Sequence, residues 1–539
     1  MNPKAIHPII YVRGYAMTQT EIEETVADPY MGFNVGSCKV RQLWDGQVKK
    51  YYFESPLVRL IKEPYGYDDV YVDGVDTVND QLNTGEPVGY RSIVIYRYYE
   101  PSSKDLGTGD KPNIERFARG LNDLILRLRD RMFPAGTKPT AEEIAAGKPA
   151  SRDDFKVYLV AHSMGGLVCR AFMQNPALGD AKVRALVDKF FTYATPHNGI
   201  EIGGVNVPDW LSLYGMNTFN RDQIAKLLAL KKTDRDGDAV DVITNFDHER
   251  VFNLVGTNPA DYKVAGGLSS MGAGDASDGL VGIKNATTRG WVGNKLVPSP
   301  QAFVHRSHSC YYGIVNSEEG FQNLVRFLFG DVRADGFLDI DDLTLPPAVA
   351  KEYEAGKQVR ASYLIESVVS VRGKQWQLHR RTANENSAIF RKFDDLFVTK
   401  QKKTGDWKPD RACSPLLFNV FLDRSLRVDP TRPSLAFALD LCVRVPDYTV
   451  DGFLFLKNHF EGSYLFRDLI VVEATPPATA KDEWKLMYGF ASDGNQKLQE
   501  AKAVKEVDGA LTFAIPIVQP KPPGIKATLR ILTRFWNQP

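Results

Sequence analysis

A serine between a strand-like and a helix-like segment is the residue best placed for covalent chemistry. Residues 155–161 form a short apolar run rich in β-forming residues, as one buried strand requires. A helical pattern begins at Gly165, and Ser163 lies between the two segments among small neighbours that include Gly166. A sharp strand-to-helix turn lifts a hydroxyl out of the sheet and directs it, with a helix N-terminus behind it, at a substrate. The pattern therefore predicts a nucleophilic serine.

The phrase Ala161-His162-Ser163-Met164-Gly165-Gly166 resembles the nucleophile elbow G-x-S-x-G, with alanine in place of the first glycine. In this phrase the chain is similar to the α/β-hydrolase superfamily, and within it to lipases and esterases. The resemblance implies an α/β-hydrolase fold with a mostly parallel central sheet and a cap or lid insertion. It also implies that an acid and a histidine follow the serine. The alternative is a small-residue turn that only joins a strand to a helix.

The resemblance places the acid in the glycine-rich loop after a late strand at residues 250–256. Asp278 opens the phrase Asp-Gly-Leu-Val, which matches the D-G-x-V phrase that carries the acid in lipase-like relatives. Asp275 in the same loop is the alternative. A carboxylate here would hold the histidine ring in one tautomer and stabilise the imidazolium that forms during the reaction.

The histidine of these relatives lies in the loop before the terminal helix, which we expect at residues 318–329. His308 is nearer to that helix and matches the relatives' H-S turn, whereas His305 is the alternative. The resulting order Ser163, Asp278, His308 is the order that this fold requires. His197 follows a core strand in a phrase common to lipase-like hydrolases, and we interpret it as structural or site-lining.

The resemblance also indicates two main-chain donors for an oxyanion hole. The first expected strand, at residues 7–12, ends in Arg13-Gly14-Tyr15, where relatives usually carry His-Gly. By this correspondence the N–H groups of Tyr15 and Met164 would stabilise the oxyanion. The Arg13 side chain would either form a structural hydrogen bond or contact an anionic head group.

Strand and helix patterns alternate around the serine. A strand is expected at residues 91–98, and an amphipathic helix at residues 113–132, with Asn113 as its cap. Such βαβ units predict a parallel sheet with the serine's strand in its middle. We assign residues 1–344 to this catalytic domain. Residues 200–248, rich in apolar side chains, are the expected cap or lid, and an extension of the core is the alternative.

Residues 345–539 change to short alternating runs typical of an antiparallel β-sandwich. The clearest run has one apolar face, formed by Leu435, Phe437, Leu439, Leu441, Val443 and Val445. Further strands are expected at residues 362–371, 416–422, 452–456, 469–473 and 511–518. Several lipases carry an added β-sandwich that helps the catalytic domain meet lipid, but no motif here assigns that role.

The composition limits which partners, cellular locations and metal sites are expected. The 539 residues carry a net charge of +1, so no long-range field favours nucleic acid as a partner. No window approaches the apolar length of a membrane span, and the N-terminal residues lack the pattern of a secretory signal. The five scattered cysteines fit reduced thiols and a cytoplasmic location, although export without a signal would give the same pattern. The acidic run 234–238 lacks the glycine and glutamate of a calcium loop, so we expect no metal.

These patterns predict a serine hydrolase of carboxylic esters, with lipid or acyl esters as substrates and no cofactor. Transient contact with a membrane or lipid surface is expected of such an enzyme. One alternative is a phospholipase exported as an antibacterial effector, whose producer would need an inhibitor or immunity protein. The other is a binding protein that keeps the hydrolase fold without catalysis.

Overall fold

The computed structural model divides into two compact units, Met1–Phe329 with Pro539 and Gly330–Gln538. The residues described are 6–14, 19–36, 38–74, 88–109, 113–202, 205–206, 220–260, 276–309, 313–371, 374, 376–398, 408–409, 414–427, 429–451, 457–478, 482–494, 497–507 and 510–537.

The first unit contains both strands and helices. Its strands are β1 (Ile9–Val12), β2 (Cys38–Gln42), β3 (Val48–Tyr52), β4 (Asp69–Gly74), β5 (Ser92–Arg97), β6 (Val157–His162), β7 (Val187–Tyr193), β8 (Glu201–Ile202), β9 (Val205–Asn206), β10 (Val251–Gly256), β11 (Arg289–Val292), β12 (Lys295–Pro298) and β13 (Gln301–Val304). Its α-helices are α1 (Gln19–Ala27), α2 (Pro56–Ile61), α3 (Ile114–Met132), α4 (Ala141–Ala145), α5 (Met164–Gln174), α6 (Ala181–Arg184), α7 (Arg221–Leu227) and α8 (Glu318–Phe329). Short 3-10 turns occur at Glu100–Ser102, Arg152–Asp154, Lys232–Asp234, His248–Arg250 and Ile283–Asn285.

The central sheet of this unit has seven strands in the order β13-β10-β7-β6-β1-β5-β4. Every neighbouring pair is parallel, so the carboxyl ends of all seven strands lie at one edge. Strands β1, β5, β6 and β10 are buried along their whole length. Burial on both faces explains why their sequences read as continuous apolar runs rather than alternating ones.

Helix formation around the sheet follows the local sequence. Asn113 caps α3 by accepting a hydrogen bond from the N–H of Arg116, and α3 buries an apolar stripe that includes Phe117, Leu121 and Leu128. The predicted α/β-hydrolase-like sheet, the cap at Asn113 and helix α8 are confirmed.

The second unit is built almost entirely of strands. These are β14 (Val332–Thr344), β15 (Val359–Val371), β16 (Gln377–Arg381), β17 (Ile389–Lys392), β18 (Phe397–Val398), β19 (Lys408–Pro409), β20 (Leu416–Leu422), β21 (Leu435–Asp451), β22 (Lys457–Thr475), β23 (Lys485–Phe490), β24 (Gln499–Glu500), β25 (Lys502–Val507), β26 (Ala510–Gln519) and β27 (Gly524–Phe535). Its α-helices are α9 (Pro347–Glu354) and α10 (Phe393–Leu396), and its 3-10 turns are Ala383–Glu385, Arg424–Leu426 and Ala491–Asp493.

Two large antiparallel sheets form most of this unit, β20-β14-β27-β26-β25 and β16-β15-β21-β22-β23-β24, with β17 paired to β15, and β18 pairs separately with β19. One apolar core contains residues from both sheets, for example Leu338 and Leu529 from the first and Val369 and Leu439 from the second. The predicted alternation of β21 is confirmed, since its apolar face from Leu435 to Val445 is buried. The predicted all-β domain is therefore confirmed as a sandwich.

The units divide between Phe329 and Gly330 rather than after residue 344, because β14 pairs with β20 and β27 of the second unit. No strand was expected at residues 69–74, yet β4 forms the edge of the central sheet beside β5. Residues 203–204 and 207–219 of the expected lid, and the expected strand at 452–456, lie outside the described residues.

Among the described helices, none combines the length and the apolar character that crossing a bilayer would need.

Candidate active site

Ser163 occupies the turn between β6 and α5, at the carboxyl edge of the central sheet. Its backbone has φ 53° and ψ −130°, a combination with positive φ that side-chain-bearing residues rarely adopt. Strain of this kind persists only where the surrounding structure enforces it, and it is characteristic of a serine at a strand-to-helix turn. The side chain is 7% exposed.

Two glycines make this turn sterically feasible. A Cβ at Gly14 would lie 2.5 Å from the Cβ of Ser163, and a Cβ at Gly165 would overlap the carbonyl oxygen of Val12. Both glycines therefore allow the end of β1 to approach the start of α5 closely.

A histidine and an aspartate complete a hydrogen-bonded chain with the serine. His308 Nε2 lies 2.9 Å from Ser163 Oγ, and His308 Nδ1 lies 2.8 Å from Asp278 Oδ2. An ionised carboxylate can only accept, so Nδ1 carries the proton in this pair. Nε2 of the neutral ring is then an acceptor, towards which the Ser163 hydroxyl donates. All three side chains are buried.

The loop after β10 fixes the carboxylate through its own main chain. Asp278 Oδ1 accepts from the N–H groups of Leu280 at 3.0 Å and Val281 at 2.7 Å, which leaves Oδ2 for the histidine. The N–H of His308 also donates to the Asp278 carbonyl oxygen at 2.9 Å. The backbones of the acid and the histidine are thus joined directly, which limits the freedom of both side chains.

A second histidine, at the end of β6, contacts the hydrogen-bonded series of Asp278, His308 and Ser163. His162 Nε2 donates to the carbonyl oxygen of His308 at 2.9 Å, and the two ring centroids are 5.0 Å apart. Burial, and then the positive charge that His308 carries when protonated and that of Arg13, hold the pKa of His162 well below its usual range. His162 is therefore a neutral donor. Neither its burial nor its contact has a signal in the sequence, where it is only the residue before Ser163.

The remaining predicted residues fall in three groups. Tyr15 and Asp275 lie outside the described residues. Met164 is the first residue of α5, so its N–H has no acceptor within the helix and is available beside Ser163. His305 is not joined to the serine: its Nδ1 lies 3.4 Å from Thr257 Oγ1.

His197 and Arg13 each form a hydrogen bond with a neighbouring part of the fold. His197 is fully buried, with Nε2 3.2 Å from Thr192 Oγ1, and burial and the nearby Arg170 hold its pKa well below the usual range. Arg13 Nη1 donates to the carbonyl oxygen of Met31 at 3.1 Å. This contact agrees with the structural role considered for Arg13 rather than with a head-group contact.

Within the described ranges, no group of three or more histidine, cysteine, aspartate or glutamate residues is arranged to hold a metal ion. The acidic run is engaged elsewhere. Asp234 Oδ2 accepts from the N–H of Lys231 at 2.9 Å, and Asp236 pairs with Arg289 at 3.0 Å.

Residues 113–224, from the cap of α3 to α7, match the family model of the PGAP1-like alpha/beta domain. This match contains β6, Ser163 and α5, and it agrees with the parallel sheet around them. The first unit has an α/β-hydrolase-type fold.

Two solved structures are similar to the chain. The product of the gene lin2722 from Listeria innocua is 12% identical, with 60% of this chain and 93% of that chain covered and a TM-score of 0.24. The lipase BlEst2 of Bacillus licheniformis in propeptide form is 9% identical, with 89% and 95% covered and a TM-score of 0.27. No curated protein matches the sequence. Similarity at this level carries no information about substrate.

Proposed function

We propose that the first unit is a serine hydrolase of carboxylic esters, of the lipase or esterase type, with lipid or acyl esters as substrates. The observation that supports this proposal is the hydrogen-bonded chain from Asp278 Oδ2 through His308 to Ser163 Oγ, with distances of 2.8 and 2.9 Å. Its members come from three separate parts of the sequence and meet at the carboxyl edge of a parallel sheet, where ligands bind in open α/β folds. A protein that only bound a ligand would not need this arrangement.

The proposed reaction has two halves. Ser163 Oγ attacks the ester carbonyl carbon while His308 Nε2 takes the hydroxyl proton, and the imidazolium is stabilised by Asp278. Collapse of the tetrahedral intermediate breaks the bond to the alcohol, which leaves with the proton from His308. Water then attacks the acyl-enzyme, giving its proton to His308. The carboxylic acid leaves, and the proton returns to Ser163. No step requires a cofactor.

Negative charge on the carbonyl oxygen needs donors that are already in position. The N–H of Met164 is free of helical bonding at the N-terminus of α5, where the helix dipole also favours an anion. We assign the second donor to the N–H of Tyr15, as the correspondence of Arg13-Gly14-Tyr15 with the His-Gly strand end of lipase-like relatives implies. A pair of main-chain donors stabilises the oxyanion whatever side chains those residues carry.

The preference for lipid esters rests on a surface feature as well as on the resemblance. The hairpin β2–β3 exposes Trp44 at its tip by 98%, with Val48, Lys49 and Tyr52 also exposed. Tryptophan and tyrosine favour the boundary between lipid and water, and lysine favours anionic lipid. The segment leading into this hairpin contacts Arg13, next to the site, through Met31. We infer that the hairpin brings the site to a lipid surface.

The test of the mechanism compares single substitutions on a chain-length series of p-nitrophenyl esters and on phospholipids. We expect Ser163→Ala and His308→Ala each to lower kcat by about 10⁶-fold, because nucleophile and base act as one unit. His305→Ala is the matched control, with activity close to that of the wild type. Equal turnover in wild type and Ser163→Ala, with circular dichroism unchanged, would reject the serine mechanism.

A further inference from the structure

The second unit carries a cavity of about 410 Å³ on the face of the β15–β21–β22 sheet that points away from the apolar core. We call it the outer-face cleft. Its floor and rim come from β15, β16, β21 and β22, with further lining residues Thr382 and Asn384 just after β16. The volume lies within the range of small-ligand pockets, roughly 300–1,000 Å³.

The strand register explains why this face is concave. Cys442 of β21 lies opposite Glu366 of β15 on one side and Arg467 of β22 on the other. Val368 lies in the same way between Arg380 and Asp440. Cys442 is thus a short side chain between two long ones, and Val368 is a short side chain beside the long Arg380, so the depression follows the short side chains along the sheet.

The lining of the cleft has three arginines and two carboxylates, and Glu385, which is not part of the lining, pairs with the third arginine, Arg380. Arg444 Nε lies 3.2 Å from Glu366 Oε1, and Arg380 Nε donates to Glu385 Oε1 at 2.6 Å. Arg467 and Asp440 carry opposite charges, so together they add no net charge. In the described part of the chain, however, neither side chain has an ion-pair partner. The cleft therefore presents one open donor group and one open acceptor group without a net field that would select an ion.

Neutral polar groups add to this set. Gln377 and Asn384 each supply an amide donor and acceptor, and Thr382 Oγ1 is buried without a hydrogen-bond partner among the described residues. Tyr464, which is 48% exposed, contributes an aromatic ring at the rim, with the Arg467 guanidinium 5.6 Å from its centroid. Only the small floor residues are apolar, so the lining is unsuited to an acyl chain.

We propose that the outer-face cleft binds a neutral oligosaccharide. Each sugar hydroxyl can donate to Asp440 or Glu366 and accept from Arg467 or Arg444, so one ligand satisfies groups of both signs. A phosphate or carboxylate would leave Asp440 opposed to a like charge, and an amine would meet the guanidinium groups. The ring of Tyr464 offers a face for the C–H groups of a pyranose. The proposal is independent of ester hydrolysis by the first unit.

The experiment uses the full chain and a panel of neutral hexasaccharides: β-1,4-glucan, α-1,4-glucan and β-1,4-linked N-acetylglucosamine. Hexauronates and inorganic phosphate form the charged arms, and isothermal titration calorimetry measures each Kd. We expect at least one neutral hexasaccharide to bind, and Asp440→Ala and Arg467→Ala each to weaken it by about tenfold or more. Arg360→Ala, an exposed arginine on β15 that does not line the cleft, is the matched control and should leave Kd unchanged.

Three results would overturn the proposal: no member of the neutral panel binds, a charged ligand binds more tightly than every neutral one, or both cleft variants bind like the wild type. Asp440→Asn and Arg467→Lys repeat the test with smaller structural change, and far-UV circular dichroism checks the fold of each variant. Hydrolysis of a soluble ester by the same samples reports separately on the first unit, so loss of sugar binding and loss of catalysis are distinguishable.

Discussion

At the scale of single residues, the two oxygens of one carboxylate have different tasks. Asp278 Oδ1 is held by two main-chain N–H groups, while Oδ2 lies 2.8 Å from His308 Nδ1. The first set of contacts fixes where the carboxylate is, and the second fixes which ring nitrogen of His308 carries the proton. Position and tautomer can therefore be separated by substitution.

Asp278→Asn tests this separation. The amide oxygen can still accept from Leu280 and Val281, so the fold should be retained. The amide nitrogen would then face Nδ1 and favour the ring tautomer with the proton on Nε2, which cannot act as a base. We expect kcat to fall by about 10⁴-fold with little change in KM, measured on a soluble p-nitrophenyl ester. Asp236→Asn, which alters a carboxylate paired with Arg289, should keep full activity. A fall of less than about tenfold in Asp278→Asn would argue against its proposed role.

The sequence singled out Ser163, Asp278 and His308, and these residues lie together in the structure. Short sequence motifs identify such residues because the local backbone geometry restricts which residue types can be their neighbours. At position 165, for example, only glycine avoids a clash with the carbonyl oxygen of Val12. The contact between His162 and the His308 carbonyl oxygen had no such signal. It joins residues 146 positions apart, and only the folded chain brings them together.

At the scale of elements, the turn at Ser163 depends on how closely β1 approaches α5. Gly165→Ala would place a Cβ against the carbonyl oxygen of Val12, which belongs to β1 and cannot move without disturbing the sheet. We expect a loss of about 1–3 kcal/mol in the free energy of unfolding and a larger proportional loss of activity. Urea unfolding and ester hydrolysis measure the two effects.

Gly282→Ala is the matched control for that substitution. The nearest atom to a Cβ at Gly282 would be Asn285 Nδ2 at 3.5 Å, an ordinary van der Waals distance. Its stability and activity should stay near those of the wild type. Equal effects of the two substitutions would show that the close approach of β1 and α5 is not what fixes the elbow.

The exposed hairpin β2–β3 makes a separate prediction. Trp44→Ala should reduce association with vesicles containing anionic lipid, measured by flotation, while hydrolysis of a soluble ester is unchanged. Trp291→Ala is the control, because Trp291 is also on a hairpin, β11–β12, but is 44% exposed and donates from Nε1 to the Asp234 carbonyl oxygen. A blue shift of fluorescence on vesicle binding that persists without Trp44 would place the lipid contact elsewhere.

Elements were predictable where their own sequence carried the signal. Helix α3 has both an apolar stripe and a capping asparagine, and β21 alternates over its apolar face, so each was identified without knowledge of its neighbours. The edge strand β4 was missed. Its half-exposed residues give a weaker apolar pattern, and its pairing with β5 is the main evidence that it is a strand.

At the scale of the whole molecule, the two units bury their strands in different ways. The central sheet is covered on both faces, so its strands are continuous apolar runs, whereas the sandwich strands alternate. Because of this difference, the change from an α/β domain to an all-β domain could be predicted from the sequence. The boundary is less readable, because Leu345-Pro346-Pro347 resembles a linker although it only follows β14 within the second unit.

Among the histidines whose side chains the structure describes, the buried neutral ones are distributed unequally between the units. Burial lowers the pKa of His7 to about 4 and holds those of His162 and His197 well below the usual range, and all three belong to the first unit. In the second unit, burial holds the pKa of His379 well below that range. Each of these groups takes up a proton near pH 6.5 when unfolded but not when folded. Acid therefore favours the unfolded state, and the stability present above pH 6.5 is lost as the pH falls.

With three such histidines in the first unit and one in the second, we expect acid to destabilise the first unit more than the second. At pH 5.5 each of the four histidines should lower the free energy of unfolding by on the order of 1 kcal/mol, so their effect on the first unit should be roughly three times that on the second. Calorimetric unfolding of the full chain between pH 7.5 and about 5.5, above the range in which most carboxylates titrate, measures both Tm values. His379→Gln should remove most of the pH dependence of one transition and thereby assign it to the second unit, and His197→Gln should flatten the other by about a third. Transitions with equal pH dependence, or with none, would contradict the assignment of these histidines as neutral.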